Sequence, residues 1–574
     1  MPTAPLFSTA AEYIPRRPHD TVLYGIVREH LATFLGHTER TYAAPLPKYV
    51  VDTFEHYLTC GDPSQGFLRC HCDHCGLDVL VAFSCKHRGL CPSCCARRMC
   101  NEAAHIVDRV LPNVPVRQWV VSLPFELRGL VAAKPGVFGA LDRIFGEEVE
   151  RMAVRLAGVA DARTGSIGFG QLFGGSLNLN PHLHTLAVDG VFEKVDGGMR
   201  FHEAPPPSKD DVAEVARRVR DRAVRWLRRQ GHIDERAAEE RSNETSEPSA
   251  IEACAQLALA GGAFLARPYE PKVDPNADLD RKEPRFSARI DGFDVHCAVR
   301  VAANDDVRRE RLVRYCARPP LSLDRIEVQR DGRIAFRLKQ PRKGRTHRVM
   351  DPLSFMARLA AQIPHPKLPL IRYHGVFSSR SSWRPLVTPK PPPRASQPKP
   401  CAASAAAAQQ AAAAQQAAAA QQAAAAQQAA AAQQAAPVPS PMRAAEPAQL
   451  APAMSSPTLP LSAPARDGAR GDPVVFVDPT MISIAHWGRL NEGELFAKSR
   501  HIDWAVLMKR TWGLDVMRCP ACSHRLRVVA TLTERAVVTK ILDHLQVRST
   551  PLPRAPARDP TWVQESFAYE HDAA

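Results

Sequence analysis

An α+β fold is what this sequence predicts, and three observations predict it. Short β-branched runs alternate with amphipathic helical windows, two segments carry cysteines at the spacing of metal knuckles, and a low-complexity tract interrupts the chain late. With 574 residues the chain is too long for one core, and about three folded units plus linkers are expected. The composition shifts divide it into an N-terminal cysteine-rich zinc-binding unit (1–110), a central unit (111–380), a Pro- and Ala/Gln-rich linker (381–472) and a small C-terminal Cys-x-x-Cys unit (473–574).

The cysteines come first in chain order. Between Cys70 and Cys100 stand Cys72-x-x-Cys75 and Cys91-x-x-Cys94, with 15 residues between the two turns. Each turn can present two thiolates to one ion, and the interval suits a short hairpin, so a Zn²⁺ site held by Cys72, Cys75, Cys91 and Cys94 is expected. The bland alternative is a set of buried thiols without metal. Cys70, Cys85, His87 and Cys95 are spare donors that leave the ligand set open. Lys86, Arg88, Arg97 and Arg98 surround the knuckles, which favours a DNA-contacting finger, with Arg88 among the contacts.

The central unit opens with Gln118–Phe125, a buried-strand pattern, and a helical window from Gly136 to Ala157. Ser166–Phe173 and Leu177–Val191 read as further strands, and the second carries His182-Leu183-His184. Residues i and i+2 of a strand project to one face, so both imidazoles can reach one divalent ion. Alone, a His-x-His pair is weak evidence. Ser208 with Asp211 opens an amphipathic helix whose apolar stripe is Val212, Val215, Ala216, Val219, Ala223 and Trp226. Its other surface holds Arg217, Arg218, Arg220, Arg222, Arg225, Arg228 and Arg229, suited equally to a solvated face and to phosphate contact.

Farther on, Gly292–Val301 reads as a strand, and Asp331-Gly332 reads as the turn of a hairpin between Ile326–Gln329 and Arg333–Leu338. Between them Asp305–Pro320 starts as a helix and is stopped by Pro319-Pro320. It carries Tyr315 among Arg308, Arg309, Arg311, Arg314 and Arg318. A tyrosine on a short helix is ordinarily core, but arginines at this density suit a phosphate backbone.

After Phe377 the composition changes. Residues 389–400 are Pro/Lys-rich, and from Ala405 to Ala436 an Ala-Ala-Ala-Ala-Gln-Gln unit repeats. Both residues favour helix, so a partly helical spacer without a core is expected. Folding resumes at Pro473–Asp478, and Ile502–Trp512 and Thr533–Leu545 read as helices. Cys519-x-x-Cys522 between those helices resembles half of a zinc ribbon, for which His524, His544 or a second protomer would complete the ligands, and it reads equally as a small knuckle without metal.

His182-Leu-His184 on a strand, Arg314-Tyr-Cys-Ala-Arg-Pro-Pro320 downstream and the cysteine knuckles upstream together resemble the bacterial transposases of the insertion-sequence 91 family, in the HUH class of single-strand DNA nucleases. The likeness runs over most of residues 50–380 and resumes near 500–547. It implies an HUH nuclease-like antiparallel sheet with helices on one side, and rolling-circle DNA transposition. In that scheme a tyrosine attacks one strand at the element's end, leaving a 5′-phosphotyrosine and a free 3′-hydroxyl. The resemblance places Tyr315 as nucleophile and His182 and His184 as ligands of Mg²⁺ or Mn²⁺. It makes single-stranded or hairpin DNA ends and target DNA the partners, with a homo-oligomer also considered. Members with two nucleophiles carry a second tyrosine four residues earlier, where this chain has Arg311, so the single-tyrosine branch is the nearer one.

Two ligands are not enough for a divalent ion, and a third donor is expected from Gln171 or, slightly preferred, His296. Arg311, Arg314 and Arg318 are expected against the DNA backbone. A net charge of +15 and a pI near 9.3 suit a polyanionic partner. The N-terminus lacks a signal-peptide pattern and no apolar run approaches a membrane span, so a bacterial cytosolic, nucleoid-associated chain without a membrane partner is expected. Two other readings remain: a plasmid replication initiator or relaxase with the same chemistry, and a non-catalytic zinc-dependent DNA-binding protein.

Overall fold

The computed structural model describes residues 17–196, 198–233, 248–259, 284–342, 344–389, 474–477, 495, 497 and 501–558. The chain forms two compact units, residues 1–390 with 473–574, and 391–472. The Pro/Lys-rich stretch and the Ala/Gln repeat of the expected linker lie outside the described residues. Its first few residues are described, and there Val387 is buried in the same core as Phe377.

In chain order the first unit runs α1 (Val22–Thr41), α2 (Lys48–Leu58), β1 (Phe67–His71), β2 (Asp78–Ala82), α3 (Pro92–Arg109), β3 (Val116–Ser122), α4 (Arg128–Ala133) and α5 (Pro135–Ala157). Then come β4 (Gly165–Phe173), β5 (Leu179–Val188), β6 (Gly190–Val195), β7 (Gly198–Glu203) and α6 (Lys209–Arg229), followed by β8 (Ser287–Ile290), β9 (Phe293–His296) and β10 (Arg300–Val301). The tyrosine helix is Asp306–Cys316, and β11 (Ile326–Val328), β12 (Ile334–Arg342), β13 (Arg345–Met350), the helix Pro352–Gln362 and β14 (Ile371–Gly375) complete this stretch. Beyond the linker lie β15 (Val474–Val477), the helix Trp504–Trp512, β16 (Arg527–Leu532) and the helix Arg535–His544.

The fold is α+β around an antiparallel sheet of order β14-β4-β5-β3-β9-β8, with β10 also on β3. Helices cover both of its faces, where the sequence suggested one. The reason is in β5, which is apolar at both parities: Leu183 and Ala187 join the core with α5 and α6, whereas Leu186 and Val188 join the core with α3 and the tyrosine helix. A strand buried on both sides reads as a near-continuous apolar run. The α5 side depends on β4 glycines. A Cβ at Gly168 would lie 2.4 Å from Asp142, and one at Gly170 would lie 2.4 Å from the Phe138 ring, so only glycine admits α5 at this distance.

Helix α6 begins with the expected capping box of Ser208 and Asp211. Its arginines are largely engaged. Arg218 and Arg222 bond to Glu148 of α5, itself 1% exposed, Arg222 also pairs with Glu147, Arg220 reaches Asp291 and Arg217 reaches Glu214. Of these acids, Glu147, Glu148 and Asp291 sit on other elements, which a reading of the helix alone does not reveal. Arg225, Arg228 and Arg229 are exposed.

The segment beyond the linker does not form a body of its own. Strand β16 pairs with β1 to extend the β1–β2 hairpin to three strands, and β15 pairs with β7. Val538 and Leu542 of the helix Arg535–His544 cluster with Phe67, while Ile502 and Leu507 cluster with Cys100 and Ala104 of α3. Arg510 enters the same junction. Its guanidinium pairs with Asp108 of α3 and, at 2.9 Å, with Glu310 of the tyrosine helix. Arg510 and Asp108 are almost wholly enclosed, with side chains 2% and 0% exposed. Removing one partner from such a cluster strands uncompensated buried charge. Arg510→Met is therefore expected to lower unfolding stability by about 3–5 kcal/mol, measured by urea titration of the full chain.

Candidate metal centres and the tyrosine site

The cysteines converge in two groups of four among the described residues. Cys60 follows α2, Cys85 follows β2, and Cys91 and Cys94 begin α3. Their sulfurs lie 3.5 Å (Cys60–Cys91), 3.8 Å (Cys60–Cys94) and 3.5 Å (Cys85–Cys94) apart. Tetrahedral zinc at about 2.3 Å from each sulfur requires edges of about 3.8 Å, so the donor set fits that ion. Hydrogen bonds from Cys60, Cys85 and Cys91 push the Cys94 thiol down, while Cys60, Cys85 and Cys94 push Cys91 up. Four thiols crowded in this way compete for negative charge, which a cation relieves.

Cys72 and Cys75 are not in this group, contrary to the expected set of Cys72, Cys75, Cys91 and Cys94. They form the turn of the β1–β2 hairpin, whereas Cys60 and Cys85 lie at its base. Strands of five residues at about 3.3 Å each set tip and base about 16 Å apart. At the tip Cys72 and Cys75 face Cys519 and Cys522 instead, so His544 is not needed to complete that half-site. Cys60 carries no sequence signal because it stands alone at a helix end. Cys70 is buried in the small core beside the tip, and Cys95 is half-buried near Arg88.

The second constellation lies on the sheet face under the tyrosine helix. The register aligns Gln171 of β4 with His182 of β5, and Val120 of β3 with both His184 of β5 and His296 of β9. Cross-strand partners share a face, so Gln171, His182, His184 and His296 all project to one side. Gln171 is one strand from the pair, whereas His296 is two strands from it, about 10 Å at the backbone. The rings of His182 and His184 are 4.9 Å apart, and the Tyr315 ring stands edge-on to His184 at 5.7 Å. Gln171 Nε2 donates to Cys316 O at 2.6 Å, which ties the end of the tyrosine helix to β4 across 145 residues of sequence.

Hydrogen bonding sets the ring orientations. His182 Nδ1 donates to Asn180 O at 2.7 Å, leaving its Nε2 to accept. Gln118 Nε2 lies 2.8 Å from His184 Nδ1 and 3.3 Å from Cys316 Sγ. The amide fits equally with its ends exchanged, Oε1 then accepting from Nδ1–H and from the thiol, which frees the His184 Nε2 lone pair. His184 Nε2 and Gln171 Oε1 are both buried without a hydrogen-bond partner. Two orphaned acceptors on one face are a fit for a cation.

Positive charge surrounds this face. The Arg318 guanidinium lies 4.4 Å from the centre of the Tyr315 ring, with Lys339 Nζ at 5.9 Å. Tyr315 is 39% exposed, Arg311 is exposed and Arg314 is half-buried. Two arginines are differently used. Arg309 is 1% exposed and donates to Val114 O, while Arg88, expected against DNA, donates to the carbonyls of Leu368, His365 and Pro366. Neither belongs to the expected basic surface, because backbone carbonyls of a neighbouring element stand opposite each. A cavity of about 200 Å³ opens beside the end of the tyrosine helix, lined by Cys95, Arg98, Phe173, Arg318, Gln362 and Ile371 among others.

Burial lowers His182 to about 4 and His184 to about 2, with Arg318 adding to both shifts. Both rings are thus neutral near pH 7 and need no deprotonation to bind a cation. On unfolding they return to about 6.5 and take up protons, so stability is undiminished above that value and falls as pH drops from about 6.5 toward 4. Metal-free protein is expected to melt lower at pH 5 than at pH 7.5, and His182→Gln/His184→Gln to flatten that dependence, as followed by thermal unfolding at several pH values.

Two family models match the chain and together cover more than half of it. The model described as "Transposase zinc-binding domain" (Zn_Tnp_IS91) matches residues 26–123, and Y2_Tnp, described as "Putative transposase", matches residues 165–384. The first span contains Cys60, Cys85, Cys91 and Cys94, and the second contains the His pair and Tyr315. Comparison with curated proteins and with solved structures gave no match. No described helix is long and apolar enough to cross a membrane. With a zinc-binding domain at its N-terminus, a transposase domain over the sheet and DNA as its partner, the chain belongs to the transposases of the insertion-sequence 91 type.

Proposed function

We propose that this transposase is a single-tyrosine nuclease of the HUH class, which nicks one DNA strand through Tyr315 and later rejoins it, in rolling-circle transposition. The observation that carries the reading is the approach of Tyr315 to His184, at 5.7 Å between ring centres, over the buried unpartnered acceptors His184 Nε2 and Gln171 Oε1. His182, His184 and Gln171 would hold Mg²⁺ or Mn²⁺, which polarises a phosphate oxygen when bound. Gln171 is preferred to His296 as third donor because it stands one strand from the pair and its oxygen is unpartnered.

The chain's own residues account for the rest of the chemistry. Arg318 and Lys339, close to the Tyr315 ring, hold the flanking phosphates. The Tyr315 oxygen gives up its proton to water and attacks phosphorus, forming a P–O bond to the 5′ side as the bond to the 3′ oxygen breaks. That oxygen takes up a proton and leaves as a 3′-hydroxyl. The phosphotyrosine ester conserves the energy of the broken bond, so a 3′-hydroxyl can displace Tyr315 without a nucleotide cofactor. Arg311, one turn before Tyr315, supplies charge where a second nucleophile would stand, which limits each chain to one covalent strand at a time.

Incubation with a single-stranded hairpin oligonucleotide and Mn²⁺ is expected to give a denaturant-resistant protein–DNA adduct, absent in Tyr315→Phe. An adduct formed by Tyr315→Phe would refute the nucleophile, and no adduct from the unaltered protein would favour a purely DNA-binding role. His184→Ala and Gln171→Ala are expected to slow adduct formation by about 100-fold or more, as ligand losses do. His296→Ala should change the rate less than about tenfold, and the reverse ranking of Gln171 and His296 would exchange their roles.

A further inference from the structure

We propose a second structural zinc site, held by Cys72 and Cys75 from the tip of the β1–β2 hairpin and by Cys519 and Cys522 from beyond the linker, which fastens the two ends of the chain to each other. It is independent of the tyrosine chemistry and distinct from the Cys60, Cys85, Cys91 and Cys94 group. The sulfurs of Cys72 and Cys522 lie 3.4 Å apart and those of Cys75 and Cys519 lie 3.6 Å apart, and all four fall within 4.8 Å of one another. A disulfide would need about 2.05 Å, whereas tetrahedral zinc needs about 3.8 Å.

The two turns are built alike although they come from positions 444 residues apart. In the first, Gly76 N–H donates to Cys72 O and Cys72 N–H to Leu77 O; in the second, Ser523 N–H donates to Cys519 O and Cys519 N–H to His524 O. The residue after each second cysteine has positive φ, +74° at Gly76 and +64° at Ser523. Backbone N–H groups also point at the sulfurs in the same order. Cys75 and His74 donate to Cys72, and Leu77 donates to Cys75. Likewise Cys522 and Ala521 donate to Cys519, and His524 donates to Cys522. Amides aimed at sulfur stabilise thiolate, the form that binds metal.

Packing gives a reason for the ion. The core at this end is small, with Cys70, Cys72, Cys519 and Leu526 as its buried members. Cores of this size seldom hold a fold without a staple, and a structural zinc contributes folding energy directly. His74 and His524 stack at 3.6 Å beside Cys522 and offer a competing three-donor set. Four sulfurs satisfy tetrahedral zinc and three donors do not.

Zinc analysis of the purified full-length chain tests the site. Two zinc ions per chain are expected in the unaltered protein. Cys72→Ser and Cys519→Ser should each hold one, and so should the double variant, because one ion is shared by both turns. His74→Ala/His524→Ala should keep two. Loading with Co²⁺ guards against misfolding: the sulfur-to-cobalt absorption should fall by about half in each cysteine variant, the remainder reporting the intact first site. One zinc in the unaltered protein, two in Cys72→Ser, or loss of a zinc in the histidine variant overturns the proposal.

Discussion

A slip of one residue in β5 against β4 and β3 would turn His182 and His184 into the apolar layer of α5 and α6 and drive Leu183 under Tyr315. Pleat parity makes that exchange complete, because every side chain of a slipped strand changes face. The apolar residues on both parities resist it from both sides: Leu183 and Ala187 fix one face, Leu186 and Val188 the other. The positions of Gln171, Gln118 and both imidazoles are thus consequences of core packing, and the site inherits the rigidity of the sheet.

Local chemistry is the legible part of this sequence. Ser208 and Asp211 announce the start of α6, and Asp331-Gly332 announces the turn that leads into β12, with Gly332 at φ +83°. These signals are complete within four residues. The pairing of Tyr315 with His184 is not legible in periodicity and comes from resemblance alone, because nothing in a helix encodes which strand it will cross. Cys60 and the partnership of Cys72 with Cys519 are hidden for the same reason: the knuckle signal gives two sulfurs and a turn, while the other two depend on the fold. The basic face of α6 looks freer in sequence than it is, because Glu147, Glu148 and Asp291 are supplied by other elements.

The tyrosine helix is held at both ends by groups remote in sequence. Gln171 bonds the carbonyl of Cys316 at its last turn, and Glu310 nearer its start meets Arg510 from beyond the linker. Arg510 is shared with Asp108, so α3, the tyrosine helix and the C-terminal segment meet at one buried charge cluster. A cluster of this kind contributes less net stability than apolar packing would, but it is intolerant of losing one member. Its effect is to make the orientation of Tyr315 depend on the presence of residues near 510.

The six-residue repeat between the two halves becomes intelligible in that light. Its flanks end on fixed structure, β14 paired with β4 on one side and β15 paired with β7 on the other. Among the described residues the C-terminal segment is seated by the β16–β1 ladder, the four cysteines at the hairpin tip and Arg510. By composition the Ala-Ala-Ala-Ala-Gln-Gln unit offers no large apolar face to a core, which gives selection on packing little hold on the number of copies. A tract whose sequence offers nothing to a core is where such a repeat can vary in length.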